Sequence, residues 1–100
     1  EMPAPERQNV TAMDNETTVT AVSKDGGLEG YFCVSGDLSR QRIDDESPIY
    51  IVAQDGTYEA SPCGEGERPF TAYLPERLRG QKLRVAFMSG GEMISCTLTD

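Results

Sequence analysis

The chain of 100 residues contains no histidine and no tryptophan. Without histidine it cannot form a Ser-His-Asp or Cys-His triad, a His-ligated zinc site or a histidine general base. Its two glycine pairs lack the lysine and the following helix that a phosphate-binding loop requires. These absences exclude the commonest catalytic chemistries, so we expect a protein that is not an enzyme and that uses no cofactor.

Basic residues are also few, with 9 Lys and Arg against 17 Asp and Glu and a formal net charge of −8. Recognition of a phosphate backbone depends on clustered Lys and Arg, so nucleic acid is not an expected partner. No stretch approaches the roughly 20 apolar residues needed to cross a bilayer, so membrane insertion is not expected either. Asp44, Asp45 and Glu46 offer oxygen ligands, but consecutive residues rarely converge on one ion, and we expect no metal site.

Cysteine is limited to Cys33, Cys63 and Cys96, an odd number, so at least one thiol is free or pairs with another chain. The spacing of Cys33 and Cys96 suggests the inter-sheet disulfide of antibody domains, but side-chain parity speaks against it. Cys33 alternates with apolar neighbours and should face outward, whereas Cys96 should face inward. We therefore predict reduced thiols. An extracellular or cell-surface location is favoured, and reduced cysteines leave a cytoplasmic one open.

Apolar and polar residues alternate with period two through residues 48–100, which indicates β-strands separated by turns. The pair Asp55-Gly56 is the strongest turn signal and predicts a type I′ hairpin that sets Ala53 opposite Tyr58. Alternation predicts outward side chains at Tyr50, Tyr73 and Arg84. It predicts inward ones at Ile49, Ile51, Tyr58, Phe70, Leu74, Leu83, Val85, Phe87, Ile94 and Leu98.

The first half of the chain gives weaker signals. Residues 1–8 are Pro-rich and predict a lead-in or linker, and residues 9–100 predict a single domain. Strands are expected at residues 10–13, 17–23 and 29–35, and Pro75 with Gly80 predicts one helical turn near residues 76–79. The predicted fold class is an all-β, immunoglobulin-like antiparallel β-sandwich of about seven strands.

The second half also resembles a known kind of domain. The segment Tyr73-Leu74-Pro75, a short connection through Leu78 and Gly80, and a hairpin at residues 85–91 are similar to the C-terminal immunoglobulin-like domain of a family of uncharacterised bacterial proteins. This chain has Leu78 where that family commonly has tryptophan. The resemblance implies an immunoglobulin-like sandwich without an assigned activity.

Seven side chains are candidates for contact with a partner. They are the tyrosines predicted to face outward and a local group of bases: Tyr31, Tyr50, Tyr73, Arg77, Arg79, Lys82 and Arg84. The bases are either solvated surface charge, a site for an anionic group, or one pole of a head-to-tail assembly whose other pole is the acidic run at residues 44–46.

Three modes of action are compatible with these residues. The leading hypothesis is a non-enzymatic module that acts by protein-protein contact, with a partner or with itself, in a larger extracellular or particle assembly. The alternative is a module that binds a glycan or small ligand on outward tyrosines, which are natural stacking platforms. A third is β-augmentation, in which residues 17–23 or 93–99 form an edge strand that pairs with another chain.

Overall fold

A computed structural model, which describes residues 12–25 and 29–99, contains seven β-strands and a single turn of 3-10 helix within that part of the chain. The predicted all-β class and strand number are confirmed. Residues 12 and 13 and residues 17–23, expected in two short strands, belong to one strand, and residues 10 and 11 lie outside the described residues. The lead-in predicted at residues 1–8 lies outside the described residues. The strands are β1 (Ala12–Asp25), β2 (Tyr31–Asp37), β3 (Ile49–Ala53), β4 (Gly56–Ala60), β5 (Pro69–Pro75), β6 (Arg84–Ser89) and β7 (Glu92–Thr99).

The strands are hydrogen-bonded in the order β4-β3-β6-β7-β1-β2-β5. Every neighbouring pair is antiparallel except β1 and β7, which are parallel, so the sheet is mixed and the prediction of a purely antiparallel arrangement is wrong. The reason lies in chain direction. Successive strands reverse, so all odd-numbered strands run the same way, and placing β7 beside β1 makes that pair parallel.

Strand β1 has 14 residues and pairs with two different neighbours along its length. Up to Thr20 it pairs with β7, with a register shift between Asp14 and Thr18. From Ala21 to Asp25 it pairs with β2. The register shift lies within the β7 pairing, and the change of partner follows it between Thr20 and Ala21, so that β1 belongs to both groups of strands.

The two ends of the strand order come together, so that the sheet is nearly closed and barrel-like. Ser61, directly after β4, exchanges backbone hydrogen bonds of 2.8 and 2.9 Å with Thr71 in β5. At the other end of β4, Arg77 forms an ion pair with Asp55 in the β3-β4 turn. Contacts at both ends of β4 therefore hold β4 next to β5 and to the 3-10 helix that follows β5.

The core lies inside this sheet, and the inward face predicted by alternation is confirmed. Seven of the ten predicted side chains are buried in one cluster, and Leu83, Ile94 and Leu98 pack against it partly buried. Cys96 is also part of the cluster, as predicted. Burial of each large apolar side chain stabilises the fold by about 1.5–3 kcal/mol, which makes this cluster the main source of stability.

The β3-β4 hairpin has a different register from the predicted one. Ala53 lies opposite Gly56, and Ile51 lies opposite Tyr58. The turn residues are Gln54 and Asp55, neither of which has the positive φ of a type I′ turn, while Gly56 has φ 142°. The prediction of a type I′ turn centred on Asp55-Gly56 is therefore wrong. Each residue of β3 pairs with a residue of β4 two positions away from the predicted one. Because side chains alternate with period two, a shift of two leaves every side chain on its predicted face.

The helical turn predicted near residues 76–79 is confirmed as a 3-10 helix, Glu76–Leu78. Pro75 precedes it with φ −59°, a value that suits the start of a helical turn. The Arg79 amide donates to the Glu76 carbonyl at 3.0 Å, which closes the turn. Leu78 is buried in the core, and this contact holds the helix under the end of the sheet.

Candidate functional site

The outer surface of β1, β2 and β5 carries the largest exposed hydrophobic groups of the described residues. Phe32 and Val34 point into the core, so the residues alternating with them point outward. We name this surface the tyrosine face and define it by the outward side chains of the three strands: Val22, Lys24, Tyr31, Cys33, Ser35, Thr71 and Tyr73.

Strand pairing arranges the tyrosine face in rows. One row contains Lys24, Cys33 and Tyr73, and the next contains Val22, Ser35 and Thr71. Val22 is 60% exposed and Tyr73 is 43% exposed. These two apolar groups therefore lie in adjacent rows on either side of β2.

Tyr31 and Tyr73, both predicted as contact residues, are brought together on this face. Tyr31 lies opposite Pro75, and Tyr73 lies opposite Cys33, so the two tyrosines are diagonal neighbours across β2 and β5. Diagonal positions are about 7–8 Å apart, within reach of aromatic side chains. Tyr31 is half-buried and Tyr73 exposed, so together they form a small aromatic surface.

Cys33 is the middle residue of its row and faces away from the core, as predicted, yet it is only 5% exposed. Its cross-strand neighbours, Lys24 and Tyr73, have long side chains that flank the small thiol on both sides. Cys33 and Cys96 are not joined by a disulfide, as predicted, and Cys63 is a thiol on the surface. Alternation along β2 therefore predicts correctly that the Cys33 side chain points away from the core. Its burial depends on Lys24 and Tyr73 on the neighbouring strands, which alternation does not describe.

A half-open groove of about 390 Å³ begins on the tyrosine face and extends to the loop between β4 and β5. Lys24 lines it at one end, and Asp37 and Glu65 line it at the other. The Asp37 carboxylate accepts hydrogen bonds from Ser39 Oγ at 2.8 Å and from the Arg68 amide at 2.9 Å. These bonds, the Ser39 hydroxyl above all, lower the pKa of Asp37.

Tyr50, the third candidate tyrosine, lies elsewhere. It points away from Ile49 and Ile51, as predicted, but on the outer surface of β3, and it is 9% exposed. It packs in a separate cluster with Ala86 and Met93. The interpretation of Tyr50 as an exposed stacking platform is therefore wrong, because Ala86 of β6 and Met93 of β7 pack against its side chain and bury it.

Arg77 is held by a small polar cluster at the β3-β4 turn. It pairs with the Asp55 carboxylate, to which the Tyr58 hydroxyl donates at 2.7 Å. The hydrogen bond from Tyr58 is the first cause of a lowered pKa at Asp55. Burial, followed by the nearby Asp55 carboxylate, raises the pKa of Tyr58 to about 12. The cluster joins the turn to the 3-10 helix, which is a structural role.

Arg79 is also held by neighbours within the chain. Its Nε and Nη2 donate to the two Glu76 carboxylate oxygens at 2.6 and 2.8 Å. Its guanidinium carbon lies 4.8 Å from the centre of the Phe32 ring, a cation-π geometry. Arg79 thus covers the end of the core.

Arg84 lies on the outer surface of β6, as predicted. Its guanidinium donates to Ser95 Oγ at 2.9 Å and to the Ser95 carbonyl at 2.7 Å. Lys82 is exposed and lines a cavity of about 490 Å³ with Arg84. Lys82 and Arg84 thus share one cavity, whereas Arg77 and Arg79 are each paired with a different carboxylate, so the four predicted bases do not combine into one cationic site.

The edge-strand hypothesis is wrong for residues 93–99, because β7 pairs with β6 on one side and with β1 on the other. Residues 17–23 of β1 pair with β7 up to Thr20 and with β2 from Ala21, so each half of this segment has one paired neighbour. For residues 17–23 the hypothesis stays a prediction. The strands at the ends of the order are β4 and β5, and the bridge between Ser61 and Thr71 joins them at one end.

Of the tyrosine face, sequence reasoning named only Tyr31 and Tyr73 as contact residues; it missed Val22 and Lys24 among the others, and it missed Glu65 in the adjoining groove. The alternation of residues 17–23 could have placed Val22 outward, because Val19 and Ala21 are buried on the other side. The position of Glu65 beside β5 depends on the fold of a loop, for which the sequence carries no periodic signal.

Within residues 12–25 and 29–99, no group of three or more Cys, Asp or Glu side chains is arranged to hold a metal ion. The same part of the chain contains no helix long and apolar enough to span a membrane.

Comparison of the chain with models of protein families, with curated proteins and with solved structures gives no match. The surfaces of the protein are therefore the guide to its function. Of these, the tyrosine face alone combines exposed apolar groups with a charged groove among the described residues.

Proposed function

We propose that this chain is a non-enzymatic module that acts by protein-protein contact in a larger extracellular or particle assembly, and that the tyrosine face is its contact surface. The observation that carries the proposal is the position of Val22 and Tyr73, the two exposed large hydrophobic side chains of the described residues, in adjacent rows of one face. Exposed apolar groups surrounded by polar ones are typical of interaction sites. Tyrosine is also enriched in protein interfaces.

We further propose that the fold is an immunoglobulin-like sandwich, a scaffold that often presents contact surfaces. The strand order supports this, because β1 divides it into two groups, one with β2 and β5 and one with β3, β4, β6 and β7. Immunoglobulin domains of the constant type place their first, second, fourth and fifth strands in one sheet and the third, sixth and seventh in the other. Six of the seven strands here follow that grouping, and β4, which pairs with β3, is the exception. The resemblance of the second half to such domains in bacterial proteins agrees with this proposal.

A glycan-binding role on the same face is the second candidate. Tyr73 is exposed and Tyr31 is its diagonal neighbour, an arrangement that can stack on a sugar ring. Tyr50 is not part of this proposal, because it is 9% exposed on another surface. Protein contact is preferred because Val22 extends the apolar area beyond the two tyrosines.

Site-specific photo-crosslinking tests the contact function. A photoreactive amino acid replaces Tyr73 on the tyrosine face or, as a matched control, the exposed Glu59 on the outer surface of β4. The purified chain is irradiated alone and with proteins of its source. We expect a protein adduct of defined mass from position 73 and none from position 59.

Two results would contradict the proposal. Equal labelling from both positions would show that the face has no special role. Absence of a protein adduct from position 73, together with glycan-array binding that Tyr73→Ala abolishes without a loss of stability, would favour the sugar-binding alternative.

A further inference from the structure

We infer that the partner binds the tyrosine face through an extended peptide segment that carries an acidic and a basic side chain four residues apart. This inference rests on the contact function proposed above and adds the chemistry of the partner. It is carried by the groove that has Lys24 at one end and Asp37 and Glu65 at the other. A segment with an acidic residue over Lys24 and a basic residue over the two carboxylates complements both ends.

The groove follows the outward side of β2. Cys33, Ser35 and Asp37 alternate with the core residues of this strand, so all three point outward. Lys24 pairs with Cys33, and Asp37 lies four residues further along the strand. At about 3.3 Å per residue, the two charged ends of the groove are about 13 Å apart.

The floor between the charged ends has short side chains. Ser35 lies opposite Thr71 on one side and opposite Val22 on the other. Gly36 and Gly64 also line the groove and present only backbone. An extended segment can therefore lie close to the sheet here, and an apolar side chain at its centre would cover the exposed Val22.

The acidic end leaves Glu65 available for a cation. The Asp37 carboxylate accepts hydrogen bonds from Ser39 Oγ and from the Arg68 amide. Gly66 lies so close to this carboxylate that a Cβ atom there would clash with it. Asp37 therefore fixes the loop before β5, and Glu65 is exposed on the same loop at the end of the groove.

The spacing of the charges favours an extended peptide. Lys24 and Glu65 are both exposed, and the ion pairs found among the described residues join other side chains. In an extended segment, residues i, i+2 and i+4 point to the same side, and i and i+4 are about 13 Å apart. An acidic residue at i and a basic residue at i+4 thus reach both ends of the groove, with residue i+2 over Ser35.

Titration of the isotope-labelled chain with capped heptapeptides, followed by NMR, tests the inference. Three peptides have Val at the centre, Ser elsewhere, and charged residues two positions before and after the Val: one Glu and one Lys, two Glu, or two Lys. A fourth has its Glu and Lys three positions apart, which places them on opposite sides of an extended chain. We expect the first peptide to bind about fivefold more tightly than the others, because each of these loses an attractive pair. Its binding should shift the amide signals of Val22, Ser35 and Thr71.

Single charge changes test which residues select the peptide. Lys24→Glu should make the peptide with two Lys the tightest ligand, because both ends of the groove are then acidic. Glu65→Gln should remove most of the advantage of the first peptide over the peptide with two Glu. Lys82→Glu and Glu59→Gln make the same charge changes at exposed sites away from the groove and should leave the order of affinities unchanged.

Several outcomes would overturn the inference. They are no saturable binding of any peptide, equal binding of all four, signal shifts confined to another surface, and an order of affinities that Lys24→Glu leaves unchanged. Shifts of the same amide signals with protein concentration alone would assign the groove to a second copy of the chain instead. In each case the contact function would survive if photo-crosslinking from position 73 captured a protein. It would fail separately if position 73 gave no protein adduct.

Discussion

Replacing Gly36 with alanine tests how closely β1, β2 and β5 pack beneath the tyrosine face. Gly36 lies in β2 on the inward side, opposite Ala21 and Phe70. A Cβ atom there would be 2.9 Å from Cε2 and Cζ of the Phe70 ring and 2.9 Å from the carbonyl oxygen of Thr20. Both distances are shorter than real Cβ contacts allow, so one of the neighbours must move.

The expected magnitude follows from two opposing effects. At an unstrained position, Gly→Ala stabilises a protein by about 0.4–1 kcal/mol, because the unfolded chain loses freedom. Overpacking a core costs about 1–3 kcal/mol. Phe70 is fully buried and the Thr20 carbonyl belongs to a paired strand, so neither can move away at low cost. Overpacking therefore wins, and we expect a net loss of about 1–2 kcal/mol.

Thermal unfolding followed by circular dichroism measures this loss. A change of 1 kcal/mol shifts the Tm of a domain of this size by about 4–8 °C, so Gly36→Ala should lower the Tm by about 5–15 °C. Phe70→Leu removes part of the ring and serves as the second-site control. The double variant should lose less stability than the sum of the two single losses, because the smaller Leu side chain leaves room for the new methyl group. The relief should be incomplete, because the methyl group still meets the Thr20 carbonyl oxygen.

The reasoning would be refuted if Gly36→Ala kept or raised the Tm. It would also be refuted if the losses of Gly36→Ala and Phe70→Leu were simply additive. Either result would mean that the Phe70 ring does not occupy the space above Gly36.

Three further predictions concern the polar contacts and thiols. Tyr58→Phe should lower the free energy of unfolding in urea by about 1–2 kcal/mol, because the Asp55 carboxylate loses a buried donor. The pKa of Asp44 is lowered, chiefly by the amide of Gly91, so its contribution to stability is complete above the unfolded-state pKa of about 3.9 and is lost as pH falls through the folded value. Asp44→Asn should therefore reduce the acid sensitivity of the Tm. A thiol reagent should modify Cys63 at once and the two buried cysteines only on unfolding.

Each of these has a contrary result. Unchanged urea unfolding of Tyr58→Phe would show that the hydroxyl contributes no net stability. An acid profile of Asp44→Asn identical to that of the parent would mean that this carboxylate is not linked to folding. Three fast thiols in the folded protein would contradict the burial of Cys33 and Cys96.

Much of the fold was predictable because its signals are local. Period-two alternation gave the inward faces of β3 to β7, since a strand between water and a core needs apolar groups on one side. Pro75 and Gly80 gave the helical turn for a similar reason, because proline and glycine act on the backbone at their own positions. The β3-β4 hairpin is a case in which a local turn signal predicted the wrong strand register. In its register Ala53 lies opposite Gly56, which differs from the pairing that the Asp-Gly preference predicts.

The candidate site was predicted only in part. Alternation identified Tyr31 and Tyr73 as outward residues, and the structure places them on one face. It gave the same direction to Tyr50, which is nearly buried because Ala86 and Met93 pack against it. Exposure depends on such neighbours from other strands, which one-dimensional periodicity does not contain.

The sequence by itself determined that this protein is all-β, that it lacks the chemistry of histidine, and which side of most strands meets the core. The tertiary structure decided that β1 pairs with β7 in parallel and then crosses to β2. It also decided that Lys24 and Glu65, far apart in the chain, line the same groove. The physical reason is the range of the forces involved. Turn preferences and alternation act over a few residues, whereas strand order and shared surfaces arise from contacts between residues far apart in the chain.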